Sequence, residues 1–299
     1  MWKKRVLNAI ESYLFLLPAG IILIIFLYYP LVNSIEFSFY RFENFLPSEF
    51  VGLENFRTAF NDPMFWNSIY LTFKWVLMNA FLPTLGGLIL ALLLEYFTRR
   101  LWFTNTVRTI LFMPQMMSMV AVGLLWTLIY DPNLGIINAV LKFFGYTGKF
   151  VELGNLDTAI YLVYIPVLWK GVGFSMVVFS AAMQSINHEI LESAIVEGAT
   201  KWKQIRYITV PSIMSTITMV IIINMIDGFK AFDLLYVLTR GGPGNSTEIT
   251  AVYAYKQAFF AYKFEYASTM LFCLLICVIV FLIVFQTVFG KLERHYSAD

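Results

Sequence analysis

Charged side chains are scarce in this sequence. Asp, Glu, Lys and Arg make up 13% of its 299 residues, about half the share found in ordinary soluble domains, while 59% are hydrophobic and the mean hydropathy is +0.71. So little polar material cannot cover a globule in water, and much of the surface must face lipid. The net charge of +2 says nothing about nucleic acid, but no basic cluster exceeds three residues and no nucleic-acid partner is expected. There are two cysteines, Cys273 and Cys277, four apart in an apolar run, where neither a disulfide nor a metal site is expected. The two histidines, His188 and His295, form no His-Glu-x-x-His. No phosphate-cradling Gly-x4-Gly-Lys-Ser/Thr is present; the nearest fragment, Gly148-Lys149-Phe150, lacks the first glycine and the hydroxyl. Gly173-Phe174-Ser175-Met176-Val177 fails the nucleophile elbow at its last position. Neither a catalytic group, a metal nor a bound cofactor is therefore expected, and if ATP drives this protein another chain binds and hydrolyses it.

What is present is a series of long oily segments. A helix needs about 20 apolar residues to cross a hydrocarbon core of roughly 30 Å. Six segments qualify, at 13–35, 66–96, 108–129, 158–183, 208–226 and 268–289. Several contain a proline (Pro18, Pro30, Pro83, Pro114, Pro166), tolerated in membrane helices whose neighbours satisfy the freed carbonyls. The first follows Trp2-Lys3-Lys4-Arg5 but is too long for a signal-peptide core and ends without a small-x-small cleavage site, so it reads as an uncleaved span. With the N-terminus inside, eleven bases fall in short inner segments and eight in much longer outer loops. That bias places both termini in the cytoplasm, including the segments 1–11 and 290–299, and puts the stretch 187–211 there too.

The outer loops are modest. Residues 36–65 are acidic and aromatic (Phe37, Phe39, Tyr40, Phe42, Phe45), consistent with an interfacial aromatic belt. Residues 131–157 suggest a small amphipathic excursion. The longest, 227–265, contains Thr239-Arg240-Gly241-Gly242-Pro243-Gly244-Asn245-Ser246-Thr247, a forced turn. Thr247 is expected to cap a helix carrying Ile249, Val252, Tyr253, Phe259 and Phe260.

The most polar inner stretch is 187–211, NHEILESAIVEGATKWKQIRYITVP. Its acids come first (Glu189, Glu192, Glu197) and its bases second (Lys201, Lys203, Arg206). Ile190, Leu191, Ala194 and Ile195 recur at helical spacing. Asn187 can cap a helix with Glu189 in its first turn, where the dipole favours an acid. Gly198 suits the left-handed turn that ends such a helix, and Thr200 can cap a second one bearing Trp202 and Ile205. On residues alone this is an amphipathic helical hairpin between two spans.

The order Glu192-Ser193-Ala194, three residues, Gly198, nine residues, Ile208-Thr209-Val210-Pro211 resembles the EAA loop of ABC importer permeases, Glu-Ala-Ala, three residues, Gly, nine residues, Ile-x-Leu-Pro. Ser193 for Ala and Val210 for Leu are mild departures. The Thr-x-Gly-Gly-Pro turn, Phe15-Leu16-Leu17-Pro18 and Tyr29-Pro30-Leu31 are similar to the carbohydrate-importing branch of that family. The resemblance implies an all-α, six-span polytopic permease of the ABC importer type I fold, one transmembrane domain over 1–299, in a bacterial cytoplasmic membrane. It implies a coupling loop over 187–207 docked on a cytoplasmic ATPase through Glu189, Glu192, Ser193, Ala194, Glu197, Gly198 and Ala199. It further implies two ATPase subunits, a second permease, expected to be a different chain, and an extracytoplasmic sugar-binding protein.

Polar residues in or beside the spans are costly in hydrocarbon and tend to face a partner or a water-filled path. Trp169, Lys170, Asn224, Asp227, Lys230 and Phe232 are therefore the candidate sugar contacts, an indole for the apolar face of a pyranose and polar groups for its hydroxyls. The bland alternatives are snorkelling for Lys170 and Lys74 and an interfacial belt position for Trp169. An ion-gradient-driven secondary transporter is the main rival, but no span centre carries an Asp or Glu and the halves show no similarity. A membrane enzyme or assembly factor lacks its motifs.

Overall fold

The structure, a computed structural model, describes residues 14–43, 46–98, 100–145 and 153–297, with side chains to residue 287. The basic segment 1–11, Phe45 and the Gly148-Lys149-Phe150 fragment lie outside the described residues, and the side chains of 290–299 are not described. The chain groups into two compact units, Met1–Phe65 with Ala254–Leu275, and Trp66–Tyr253 with Ile276–Asp299. Helices dominate both, because in hydrocarbon a backbone must satisfy its own polar groups.

In the first unit, helix α1 (Leu14–Phe37) is long and apolar enough to cross a membrane, and none of its most apolar stretch is buried. Its bonding widens into a π turn at Ile24–Tyr28, just before Pro30, which cannot donate to the ladder. The aromatic loop that follows does more than form a belt. It folds into a hairpin of β1 (Tyr40–Glu43) and β2 (Leu46–Phe50), with Tyr40 opposite Phe50 and Arg41 opposite Glu49, and a short helix α2 (Glu54–Asn61). No strand pair is expected above, although Tyr40–Glu43 alternates apolar and polar residues. The Arg41 guanidinium holds it together, 3.2 Å from Glu49 and 2.9 Å from Glu54. The Asn55 amide donates to the Ser38 and Tyr40 carbonyls. Phe39 packs on Phe56 and Phe272.

The second unit is built on α3 (Pro63–Phe97), from Trp66 onward. Around it pack α4 (Leu101–Phe112), α5 (Met119–Ile129), α6 (Ile136–Phe143), α7 (Ala159–Gln184), α8 (His188–Val196), α9 (Lys201–Gln204), α10 (Met214–Phe229) and α11 (Asp233–Leu238). Helices α12 (Thr250–Phe259) and α13 (Phe264–Ser297) close the chain. One core gathers Trp75, Val122, Val163, Tyr164, Leu235 and Val252; another gathers Ala91, Met176, Phe179, Ile213 and Val220. The amphipathic excursion is α6, ahead of which the Asp131 carboxylate accepts from the Leu134 and Asn133 amides and is held below its usual pKa.

Two of the six expected spans are broken. The third begins earlier than 108, at Leu101, and turns by 103° between Met116 and Met119. The cause is local: Met113–Met116 tightens to a 3-10 turn at Pro114, and Ser118 starts a new helix by accepting from the Ala121 amide. The fifth begins at Lys201 and bends by 65° between Ser212 and Met214. There Ile205–Thr209 is a π turn, Pro211 follows, and Ile213 leaves the helical region. Apolar content alone does not reveal such breaks.

Three smaller expectations need correcting. Thr247 does not cap α12. Its hydroxyl donates to the Gly242 carbonyl at 2.8 Å and pairs with that of Thr239 at 2.6 Å, tying the glycine turn shut. The first α12 amide, Thr250, instead donates to the hydroxyl of Thr72 on α3. Lys74 does not simply snorkel, since its ammonium lies 4.6 Å above the Tyr161 ring. Gly171-Val172-Gly173 is continuous helix, and Gly173 serves contact rather than flexibility: a Cβ there would collide with the Leu111 carbonyl of α4. Gly173→Ala is expected to cost about 1–3 kcal/mol, read as a lower melting temperature of the solubilised protein. Gly20→Ala, with no heavy atom within 4 Å, should leave it unchanged.

Candidate functional site

The loop 187–211 folds as its residues suggest. Asn187 Oδ1 accepts the Glu189 amide at 3.0 Å and starts α8. Gly198 ends it at φ +78, where a side chain is strained. The closing bonds run from the Gly198 amide to Ile195 O at 3.0 Å and from the Ala199 amide to Ala194 O at 2.8 Å, a Schellman pair. Thr200 then caps α9 through the Lys203 amide. The turn fixes the angle between α8 and α9 with backbone bonds alone.

No residue of α8 is buried. Glu189, Glu192, Ser193 and Glu197 are exposed, and so are Ile190, Ile195 and, at 88%, Val196. Only Leu191, Ala194 and Ala199 are half-covered. Of the apolar stripe read from the sequence, Leu191 and Ala194 are half-covered while Ile190 and Ile195 stand exposed. Behind it Gln204, Ile205 and Thr209 are buried and root the loop.

A separate cavity of about 310 Å³ opens between α3, α7 and the end of α10. Lys170, Asn224, Asp227, Lys230 and Phe232 line it together, although they lie up to 62 positions apart in sequence. Trp169 does not. Its indole points the other way round the helix and packs edge-on against Trp126 at 6.0 Å. The indole that lines the cavity is Trp75 of α3, beside Asn79 one turn later. Sequence reasoning passed over both. Asn79 was the available signal, a lone amide in the interior of an oily segment, and the residue four before it shares its face.

Asn224 is half committed elsewhere. Its amide donates to the Thr84 hydroxyl at 3.0 Å, while its carbonyl accepts from Asn79. It binds α10 to α3 first and offers only its remaining oxygen to a ligand. Lys170 and Asp227 face the same cavity and act on one another electrostatically, yet form no ion pair within 4.0 Å among the described residues. With Lys230 and Asp233, two cations and two anions line the space. Such a wall has no net charge and carries donors and acceptors on all sides. Among the described residues no group of His, Cys, Asp and Glu could hold a metal.

Residues 84–297 match the family described as binding-protein-dependent transport system inner membrane component. The chain belongs to that family. A probable ABC transporter permease of Pyrococcus horikoshii is 35% identical over 261 residues, covering 86% of this chain and 88% of the relative. The alpha-glucoside transport system permease AglF of Rhizobium meliloti is 34% identical over 244 residues, covering 79% and 70%. In fold, the chain is similar to the bacterial alginate ABC transporter crystallised with an alginate pentasaccharide-bound periplasmic protein, with a TM-score of 0.85, 23% identity and coverage of 97% and 98%.

The permease is thus a multi-pass membrane protein and a transport subunit rather than an enzyme. The family match takes in the whole 187–211 loop and α7 to α13 but begins after Trp75 and Asn79. Asp227→Asn, which removes one charge from the cavity wall, is expected to raise the half-saturating solute concentration for transport by about tenfold. Trp169→Ala, outside the wall, should leave it unchanged. Equal effects from the two would separate the cavity from the transport path.

Proposed function

We propose that this permease forms part of the membrane path of an ABC importer for a carbohydrate, driven by ATPase subunits that dock on α8. The observation carrying this is an exposed amphipathic helix whose ends are fixed by the Asn187 cap and the Gly198 turn, on which Ile190, Ile195 and Val196 stand uncovered. Covering those three side chains would contribute on the order of 1 kcal/mol each, enough to matter for docking and too little to order the helix. The order already comes from the Asn187 cap and the Gly198 turn.

In this reading Glu189, Glu192 and Glu197 meet polar groups on the ATPase. Ser193 and Ala194 are small enough for close approach. Gly198 and Ala199 set the angle. Closure of an ATPase pair would push α8 as a rigid body and rock the spans from inward-open to outward-open. A loaded extracytoplasmic binding protein would then release its cargo into the cavity. Lys170, Asp227, Lys230 and Asp233 would meet hydroxyls there, and Trp75 and Phe232 the apolar faces of the sugar rings. A donor-and-acceptor-rich wall of no net charge suits polyols and sugars better than ions. The alpha-glucoside and alginate systems among the similar proteins support the same class. A second, related permease would complete the path. Both termini would lie in the cytoplasm, as the distribution of bases supports.

The test is uptake of labelled sugars by vesicles holding the permease, its partner permease, the ATPases and the binding protein. Expected is uptake that requires ATP and is blocked by vanadate. Uptake that persists without the ATPases and collapses with an ion gradient would establish a secondary transporter instead. Gly198→Val should insert normally but lose ATPase association, because a branched residue cannot hold φ +78. Undiminished association would remove α8 from the docking surface.

A further inference from the structure

The last turn of α3 is gripped from two sides. Of three consecutive residues, Glu95 binds α4, and Tyr96 and Phe97 both bind Lys201 of α9. The Glu95 carboxylate lies 3.5 Å from Arg108 of α4. The Tyr96 carbonyl accepts from Lys201 Nζ at 2.7 Å, and its hydroxyl pairs with that of Thr209. The Lys201 ammonium also lies 4.9 Å above the Phe97 ring. Tyr96 O is one of the carbonyls that a helix end leaves without an intrahelical partner, at the negative pole of the helix dipole. A lysine is suited to that position on both counts.

Lys201 is the first residue of α9, three positions beyond the Gly198 turn. Gln204 folds back on the same turn, its amide donating to the Ala199 carbonyl at 3.0 Å. The loop is therefore stiff from α8 through Gln204, and Lys201 and Thr209 strap that stiff piece to α3. From Tyr96 the helix runs unbroken to Asn79 and Trp75 at the cavity, about 26 Å away at the helical rise. Asn79 is itself bonded to the backbone of Asn224.

We infer that Lys201 is a positioning residue that makes α3, and not only the adjoining α10, the rod through which displacement of α8 reaches the cavity. This rests on the proposed docking of an ATPase on α8. Two alternatives are weaker on geometry. The path through α10 crosses a π turn and a 65° bend before it reaches Asn224. The path back through α7 passes residues 185–187, where Ser185 and Ile186 leave the helix. The α3 path has no break between Trp75 and Tyr96.

The strap makes a prediction that a merely structural lysine does not. In the assembled transporter, Lys201→Met keeps the stem and removes the donor and the charge. It should bind the ATPases and support hydrolysis like the wild type, yet import at least about fivefold fewer sugar molecules per ATP, in the range of ordinary coupling between sites. Lys201→Arg, which can still donate to Tyr96 O, should restore most of that ratio. Tyr96→Phe, which removes the Thr209 pair but leaves the carbonyl, should lower it less than Lys201→Met. A wild-type ratio in Lys201→Met, or a loss of transport that only follows a loss of ATPase binding, would overturn the inference.

A second measurement needs no transport. Spin labels at Leu93→Cys on α3 and Lys203→Cys on α9, with Cys273→Ser and Cys277→Ser, should show one narrow distance distribution, with or without ATP. Adding Lys201→Met should broaden it. An equally narrow distribution without Lys201 would overturn the strap. Lack of ATP-dependent uptake by the wild-type complex would count against the importer reading and leave the label distances to decide the strap.

Discussion

Hydrocarbon offers no hydrogen bonds, and this constraint governs where the permease can be straight and where it can break. An unpaired amide or carbonyl in lipid costs several kcal/mol, so a span may depart from the helix only where side chains or altered turns take over its backbone groups. Both breaks obey this rule. At the third span Pro114 brings no amide and Ser118 supplies a cap. At the fifth, the Ser212 hydroxyl donates back to Ile208 O while the Ile213 and Ile217 amides carry the ladder across the bend. Departures from the straight rod are thus local. The cavity adjoins the first of them, whose Gln115 and Met119 help line it.

Helix α3 is continuous through Pro83. A proline frees the carbonyl four residues earlier, at Asn79, and disturbs its neighbours. Here the Tyr164 hydroxyl donates to Met78 O and the Thr84 hydroxyl to Ala80 O, both at 2.6 Å, on either side of the freed group. The Tyr164 ring also packs edge-on against Trp75, 5.4 Å away, so a residue that braces α3 touches one that lines the cavity.

Much of this was legible beforehand, for reasons that differ by element. The loop 187–211 was read almost residue by residue, because caps and a glycine turn are local chemistry: Asn187, Gly198 and Thr200 act on amides within three positions of themselves. Span existence was legible because composition determines it. The breaks were not, since Met113–Met116 and Ile205–Thr209 lie in or against segments whose average is oily, and Pro114 and Pro211 alone do not separate a bend from a straight span. The cavity was half legible. Polar residues near the end of α10 announced themselves by their cost, but which face of α7 turned inward depended on packing. Trp169 and Lys170 are adjacent, about 100° apart around the helix, and only one of them lines the cavity. The hairpin β1–β2 was missed because the four alternating residues of β1 are too short a run to stand out and β2, fully exposed, has no apolar face to mark it.

Charges in the cavity point to how a transport path differs from a core. Lys170 and Asp227 could offset part of their desolvation cost by closing into a direct pair. They stand apart instead, within each other's field. A closed pair would fill the cavity's best donors and acceptors with each other. Held open, they keep those groups available to a ligand that must also be let go. What keeps them apart is the frame: Lys170 is fixed by α7, tight against α4 at Gly173, and Asp227 by α10, bound to α3 through Asn224 and Asn79. A movement of α3 would therefore change the spacing between an acid and a base without breaking either helix. Spacing between fixed charges is a graded quantity, which suits a site that has to bind in one state and release in another.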